Sequence, residues 1–232
     1  MKVLVIDDEK PTLSMFNLFL TAYGYEVNTA ENGEKGLKLY DELSPDIVFT
    51  DIKMPGIDGL EVLRRIREKD IETQVIIITG HGDMEKAVEA LDLEASDFIN
   101  KPVERQALNS ALARAEKRRQ MPGSTAFSHD ISKTDSRVDI LIKGKLSSDG
   151  VSQIAVGIKD LKIEDVTEIH FIADNSFSIN RSGISSLMTL IQDLNAVTNA
   201  IYIENLSFNY VRVFQMTGMD KLARLIEEDL PE

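Results

Sequence analysis

The chain has 232 residues, 43% of them hydrophobic and 28% charged, which is enough to pack a core in each of two compact domains. It contains no cysteine, which excludes disulfides, thiolate nucleophiles and cysteine-type zinc sites and suits a cytoplasmic location. The formal net charge is −13: 16 basic and 23 acidic residues precede Gly123, and 10 and 16 follow, so neither half has the electrostatic footprint of a nucleic-acid binder.

The opening MKVLVIDDEK reads as a strand, Lys2–Ile6, running into acids rather than as a leader segment. No apolar stretch approaches the ~20 residues that cross a bilayer, so no membrane association is expected. Leu13, Phe16, Leu20 and Tyr23 recur at helical spacing before the stop at Gly24. A strand at Tyr25–Ala30, a helix at Glu34–Leu43 and a strand at Asp46–Thr50 follow, then a Pro- and Gly-punctuated loop over Ile52–Gly59. Leu60–Lys69 reads as a helix, and Val75–Thr79 as a strand apolar enough for the centre of a parallel sheet. Asp83–Glu94 is predicted helical, Asp97–Asn100 a strand and Glu104–Met121 a long helix. Leu108, Leu112 and Ala115 either seat that last helix on its own sheet or face a second copy of the chain; Lys117, Arg118 and Arg119 read as its solvated final turn. Five successive βα units predict a doubly wound, flavodoxin-like five-stranded parallel sheet over residues 1–121.

Residues 122–136 are polar and aperiodic and read as a linker. Over 137–232 the pattern is again mixed α/β, but smaller. Strands are predicted at Val138–Lys143, Thr167–Ala173 and Ala200–Glu204, and helices at Gly150–Leu161, Gly183–Asn195 and Ser207–Met216. Asn180, Arg181, Ser182 and Gly183 lead into the second of these helices. They offer both N-cap chemistry and backbone N–H groups where an anion could rest, with capping the plainer reading.

In a doubly wound sheet, ligands sit beyond the carboxyl ends of the strands where strand order reverses. Asp7 and Asp8 follow the first strand and Asp51 the third, so three carboxylates converge and call for a hard divalent cation such as Mg2+. Thr79 follows the fourth strand with a hydroxyl, and Lys101 the fifth with an ammonium. Each residue alone has an ordinary explanation as a cap or turn; together they supply what phosphoryl transfer to Asp51 requires.

The segments VLVIDDE, DIVFTDIKMPGIDGLEVLRRIRE, VIIITGHGD and DFINKP resemble the receiver domain of bacterial two-component response regulators, over Met1 to about Gln120. The resemblance implies that Asp51 takes phosphate from a sensor histidine kinase or a histidine phosphotransfer protein. It also implies that Asp8, Asp51 and the Lys53 backbone carbonyl hold Mg2+ with Asp7 in the outer shell, and that Lys101, before a cis Pro102, contacts the phosphate. Thr79 and Phe98 would be the switch pair, Phe98 lacking the hydroxyl of the usual tyrosine. Lys53 and His81 fall where the family tunes phosphoryl lifetime. No enzymatic turnover is implied beyond autophosphorylation from a phosphohistidine donor and self-dephosphorylation. A Mg2+-dependent phosphatase wants a second carboxylate two residues past the nucleophile, where this chain has Lys53.

In the second half, VDILIKGKLS, EIHFIADNSFSINRSGISSLMTLIQDL and AIYIENLSFNYVRVFQMTGMDKL resemble the STAS domain of anti-sigma-factor antagonists. That resemblance implies a partner-binding output toward an anti-sigma factor, switch kinase or related phosphatase. The family carries Asp and a phosphorylated Ser where this chain has Asn180 and Arg181, so the serine switch is not carried over to Ser182. Binding of another protein, a nucleotide or a lipid is the alternative for this half. A DNA-binding output lacks its expected basic helix.

Overall fold

The computed structural model describes residues 1–80, 84–120, 126–161 and 165–228. The chain divides into two compact units, Met1–Ala115 and Glu116–Glu232.

The first unit runs β1 (Lys2–Ile6), α1 (Lys10–Ala22), β2 (Glu26–Ala30), α2 (Gly33–Leu43), β3 (Ile47–Asp51), α3 (Gly59–Lys69), β4 (Gln74–Thr79), α4 (Met84–Asp92), β5 (Asp97–Asn100) and α5 (Arg105–Gln120), whose last turn falls in the second unit. The sheet is parallel throughout, in the order β2-β1-β3-β4-β5. Its apolar strands follow from burial on both faces: Val3–Ile6, Ile47–Phe49 and Val75–Ile78 are fully inaccessible. The edge strand β2, with Glu26, Asn28 and Thr29, is partly exposed. Helix starts are set by local chemistry, with Asn32 Oδ1 accepting from Lys35 N and Asp58 Oδ1 from Glu61 N. Leu108, Leu112 and Ala115 on α5 are buried within the chain, which favours the reading that they seat their own helix.

The second unit adds β6 (Ser128–Lys133), β7 (Arg137–Lys143), β8 (Lys145–Leu146), α6 (Ser148–Lys159), β9 (Glu168–Ala173), β10 (Ser178–Ile179), α7 (Arg181–Leu194), β11 (Ala200–Leu206), α8 (Phe208–Thr217), a 3-10 turn at Met219–Lys221 and β12 (Arg224–Glu227). Its main sheet has the order β12-β11-β9-β7-β6, parallel except for the antiparallel β6–β7 pair, and β8 and β10 form a separate two-stranded ribbon. Strand alternation sorts the sheet into two faces. Val138, Ile140, Ile142, Ile169, Phe171, Ile201 and Ile203 form the buried face, joined in the core by Ile154, Leu187, Ile191, Val213 and Phe214 from the helices. The other face mixes Leu141 and Ile172 with polar side chains. His170 stacks on Tyr202 with centroids 4.4 Å apart, and its Nδ1 lies 2.6 Å from Glu204 Oε1.

Two expectations need correction. Residues 128–133, read as linker, are strand β6, paired with β7 from Ser128↔Lys143 to Lys133↔Val138. Arg118, read as part of a solvated turn, is 8% exposed and its Nη2 donates to the Phe177 carbonyl at 2.9 Å.

Candidate functional site

The parallel register brings the carboxyl ends of β1, β3, β4 and β5 to one edge. Asp51 is the last residue of β3 and pairs with Ile78, one residue before Thr79 at the end of β4. Asp7 and Asp8 leave β1, and Lys101 leaves β5 through a cis Lys101–Pro102 bond. The loop after β1 is held in place by Asp7, whose N–H donates to Ala30 O at 3.1 Å and whose Oδ1 accepts from Glu9 N at 2.8 Å. The exit of β5 is tied to β4 by Lys101 N donating to Thr79 O at 2.7 Å.

Carboxylate oxygens of Asp7, Asp8 and Asp51 lie within 4.8 Å of one another. Asp7 and Asp51 are buried and Asp8 is exposed, so the cluster opens toward solvent on the Asp8 side. Lys101 Nζ is its cation, 2.8 Å from Asp51 Oδ2, 3.1 Å from Asp7 Oδ2 and 2.9 Å from Glu9 Oε2. Burial pushes the Asp7 carboxyl up, against the Glu9 amide and Lys101, which pull it down. For Lys101, desolvation is outweighed by the contacts with Asp51, Glu9 and Asp7, and its pKa is raised. Lys101 draws the exposed Glu9 carboxyl below its usual range. The ion pair to Asp7 Oδ2 lacks hydrogen-bond geometry, and that buried oxygen has no hydrogen-bond partner. An all-oxygen donor set with one buried oxygen left unbonded fits a hard divalent cation such as Mg2+.

Of the other residues singled out in this half, Thr79 is buried, its Oγ1 3.5 Å from Gly80 O, and Phe98 is fully buried. Burying phenylalanine there strands no hydroxyl. Lys53 lies in the loop two residues past Asp51 with its side chain exposed. His81 falls outside the described residues. Sequence reasoning missed Glu9, whose carboxylate meets the cluster through the ammonium of a residue 92 positions away. It also missed Gly59. A Cβ there would fall 2.8 Å from the Asp51 carbonyl carbon and 3.0 Å from Ile52 Cα, so the start of α3 lies directly against the backbone of Asp51.

In the second unit the structure settles Asn180 as a cap: its Oδ1 accepts from Gly183 N at 2.8 Å and from Ser182 Oγ at 3.0 Å. Arg181 and Ser182 are exposed. Gly183 is buried against β8, where a Cβ would meet the Leu146 carbonyl group, 3.1 Å from its carbon. Replacing Asn180 by alanine is expected to lower the stability of this unit by about 1 kcal/mol, read by denaturant unfolding; an unchanged midpoint would contradict the cap's role.

Residues 3–113 match the family profile of the response regulator receiver domain, and with the 2-1-3-4-5 parallel sheet the first half of the chain is a receiver domain of the two-component type. Among curated relatives, the chain is 40% identical over 127 residues to the transcriptional regulatory protein AfsQ1 of Streptomyces coelicolor, covering 54% of this chain and 56% of that one. It is 36% identical over 113 residues to the transcriptional regulatory protein FixJ of Rhizobium meliloti, covering 49% and 55%. A crystal structure of a response regulator receiver domain protein from Clostridium thermocellum superposes with a TM-score of 0.50 at 39% identity, over 52% of this chain and 97% of that one. The chain spans between a quarter and just over half the length of the curated relatives compared with it. The family match ends at residue 113, before the second unit begins. Among the described residues no helix is long and apolar enough to cross a membrane.

Proposed function

We propose that the chain is a response regulator in which Asp51 accepts a phosphoryl group and the second unit, a STAS-like domain, delivers the output by binding an anti-sigma factor, switch kinase or related phosphatase. The observation that carries the first part is the cluster itself: a buried carboxylate at a strand end, two further aspartates within 4.8 Å and one lysine ammonium shared by Asp51 and Asp7.

A carboxylate oxygen of Asp51 attacks the phosphorus of a phosphohistidine on the histidine kinase or phosphotransfer donor. As the new O–P bond forms, the P–N bond breaks and its electron pair leaves with the donor imidazole. Asp8, Asp51 and the Lys53 carbonyl would hold Mg2+ with Asp7 behind them, and the ion would supply charge neutralisation for the phosphoryl oxygens. Lys101, already 2.8 Å from Asp51 Oδ2, keeps its ammonium at the acceptor and turns it to a phosphoryl oxygen after transfer. The Thr79 hydroxyl, buried at the next strand end, gains an acceptor there, which favours a second receiver conformation in which Thr79 and the already buried Phe98 are the switch pair. Attack of water on the acyl phosphate breaks the O–P bond, releases inorganic phosphate and returns the Asp51 carboxylate, which resets the site.

For the output, four parallel strands with Asn180 capping α7 support the STAS-like reading. Control then rests with Asp51, since Arg181 stands where that family carries its phosphorylated serine. A DNA-binding output is the second reading, because relatives are named transcriptional regulators. The acidity of the second half and an α7 whose single cation is Arg181 stand against it.

The test is capture from native lysate on wild-type and Asp51→Asn protein, each with and without Mg2+ and beryllofluoride. A switch kinase or its phosphatase is expected, with a yield that changes on adding beryllofluoride for wild type alone. Its absence from both states of the wild type would remove the STAS-like output, and a DNA shift that weakens steeply with salt would replace it with the second reading.

A further inference from the structure

Helix α1 begins on a residue that does not cap it. Asn32 and Asp58 cap α2 and α3 through their side chains, whereas Glu9, the residue before α1, makes no side-chain cap bond. Asparagine, aspartate, serine and threonine are the side chains that cap well, and glutamate is not among them. Its carboxylate goes to the aspartate cluster instead. Glu9 Oε2 accepts from Lys101 Nζ at 2.9 Å and from Thr12 Oγ1 at 3.3 Å, and the Glu9 N–H donates to Asp7 Oδ1 at 2.8 Å. The position forgoes a local helix bond and makes a contact with a lysine 92 residues away.

That lysine is fully engaged. An ammonium has three N–H donors, and carboxylate oxygens of Asp51, Glu9 and Asp7 lie 2.8, 2.9 and 3.1 Å from Nζ. A phosphoryl oxygen at Asp51 is a fourth acceptor, and it takes an N–H from one of the three. They differ in what the loss leaves behind. The Asp7 side chain is 0% exposed and that of Asp51 7%, so withdrawing the ammonium from either leaves a buried carboxylate short of its cation. The Glu9 side chain is 59% exposed, and water replaces the ammonium there at little cost. Thr12 continues to donate to it. Glu9 is therefore the partner that yields.

We propose that Glu9 is a positioning residue for phosphoryl transfer, holding the Lys101 ammonium in the unmodified site and competing with the phosphoryl group for it. The inference rests on the reading of Asp51 as phosphoacceptor. Because the contact exists only in the unmodified site, it favours that state and lowers the affinity for a phosphoryl group at Asp51. Two substitutions separate the contact from the charge. Glu9→Gln removes the charge and keeps the length. Glu9→Asp keeps the charge on a shorter side chain, which at this position caps α1 and leaves the lysine.

The experiment is titration of the full chain with beryllofluoride in the presence of Mg2+, followed by 19F NMR, for wild type, Glu9→Gln, Glu9→Asp and Asp51→Asn, with urea unfolding of each protein. Both Glu9 variants are expected to bind beryllofluoride about threefold more tightly than wild type, the scale of one exposed ion pair. Their stabilities are expected to part: Glu9→Asp gains a cap and rises, and Glu9→Gln does not. A purely structural role would make affinity follow stability, and that result overturns the proposal. Wild-type affinity in Glu9→Asp beside a gain in Glu9→Gln would mean that charge acts without the contact, and also overturns it. So does an affinity unchanged or weakened in both variants. In each of these cases binding by wild type and none by Asp51→Asn leaves the phosphoacceptor reading intact. No binding by wild type removes that reading, and this inference with it.

Discussion

Gly59→Ala is expected to destabilise the first unit by about 3 kcal/mol, the upper range for forcing atoms into a packed site, and to slow phosphorylation of Asp51. Gly59 opens α3 and its N–H donates to Ile52 O at 3.1 Å, which draws the helix start onto the end of β3. The added methyl would meet Asp51 and Ile52 backbone, 2.8 Å and 3.0 Å away, and backbone between a buried strand and a capped helix cannot rotate aside as a flexible side chain would. Either α3 withdraws, losing the burial of Leu60, Leu63 and Ile66, or the Asp51 backbone shifts and moves its carboxylate off Lys101. Urea unfolding followed at the first-unit transition reads the stability, and labelling by a small-molecule phosphoryl donor reads the site. A variant with wild-type stability and labelling rate would show that the contact is not constraining.

Lys101→Met has the second large effect, and its sign depends on the metal. Without Mg2+ it leaves Asp7 and Asp51 buried with no cation, and loss of one partner from such a cluster costs about 3 kcal/mol. Because the Lys101 pKa is raised, its contribution is fully present at neutral pH and is lost only as pH rises beyond the ordinary lysine range. With Mg2+ the order changes. On the proposed reading Lys101 and Mg2+ would compete for the same carboxylates, so the variant is expected to bind Mg2+ more tightly and to gain more from it in thermal unfolding than wild type does. Phosphorylation stays slow in both conditions, because the ammonium that meets the phosphoryl oxygens is gone. Equal Mg2+ stabilisation of the two proteins would mean that the lysine and the metal do not share these oxygens.

What the sequence made legible follows the length over which each signal repeats. The first unit alternates long apolar strands with amphipathic helices, so Val75–Thr79 and Leu60–Lys69 could be placed from pattern alone, and convergence of Asp7, Asp8, Asp51 and Lys101 followed from strand order. Strand β6 was illegible because Ser128–Lys133 is largely exposed and carries a single apolar residue, Ile131, too few to show a two-residue period in the sequence; its pairing with β7 is a tertiary fact. Strands β8 and β10 have two residues each, too few to show any period. Arg118 did carry a signal. Leu108, Ala111, Leu112 and Ala115 recur on one stripe of α5, and 118 is its next position, but three adjacent cations masked the period. Gly59 could not be read at all, since the backbone it touches reaches it only through the fold.

The most direct measurement is chemical identification of the phosphorylated residue. The protein is incubated with acetyl phosphate and Mg2+, the acyl phosphate is trapped by borohydride reduction, and the peptides are sequenced by mass spectrometry. The account predicts a single modified residue, Asp51, with no modification when Mg2+ is withheld or when Asp51 is replaced by Asn. Modification confined to another residue, whether Asp7, Asp8 or Ser182, or none at all on folded wild-type protein, would contradict it.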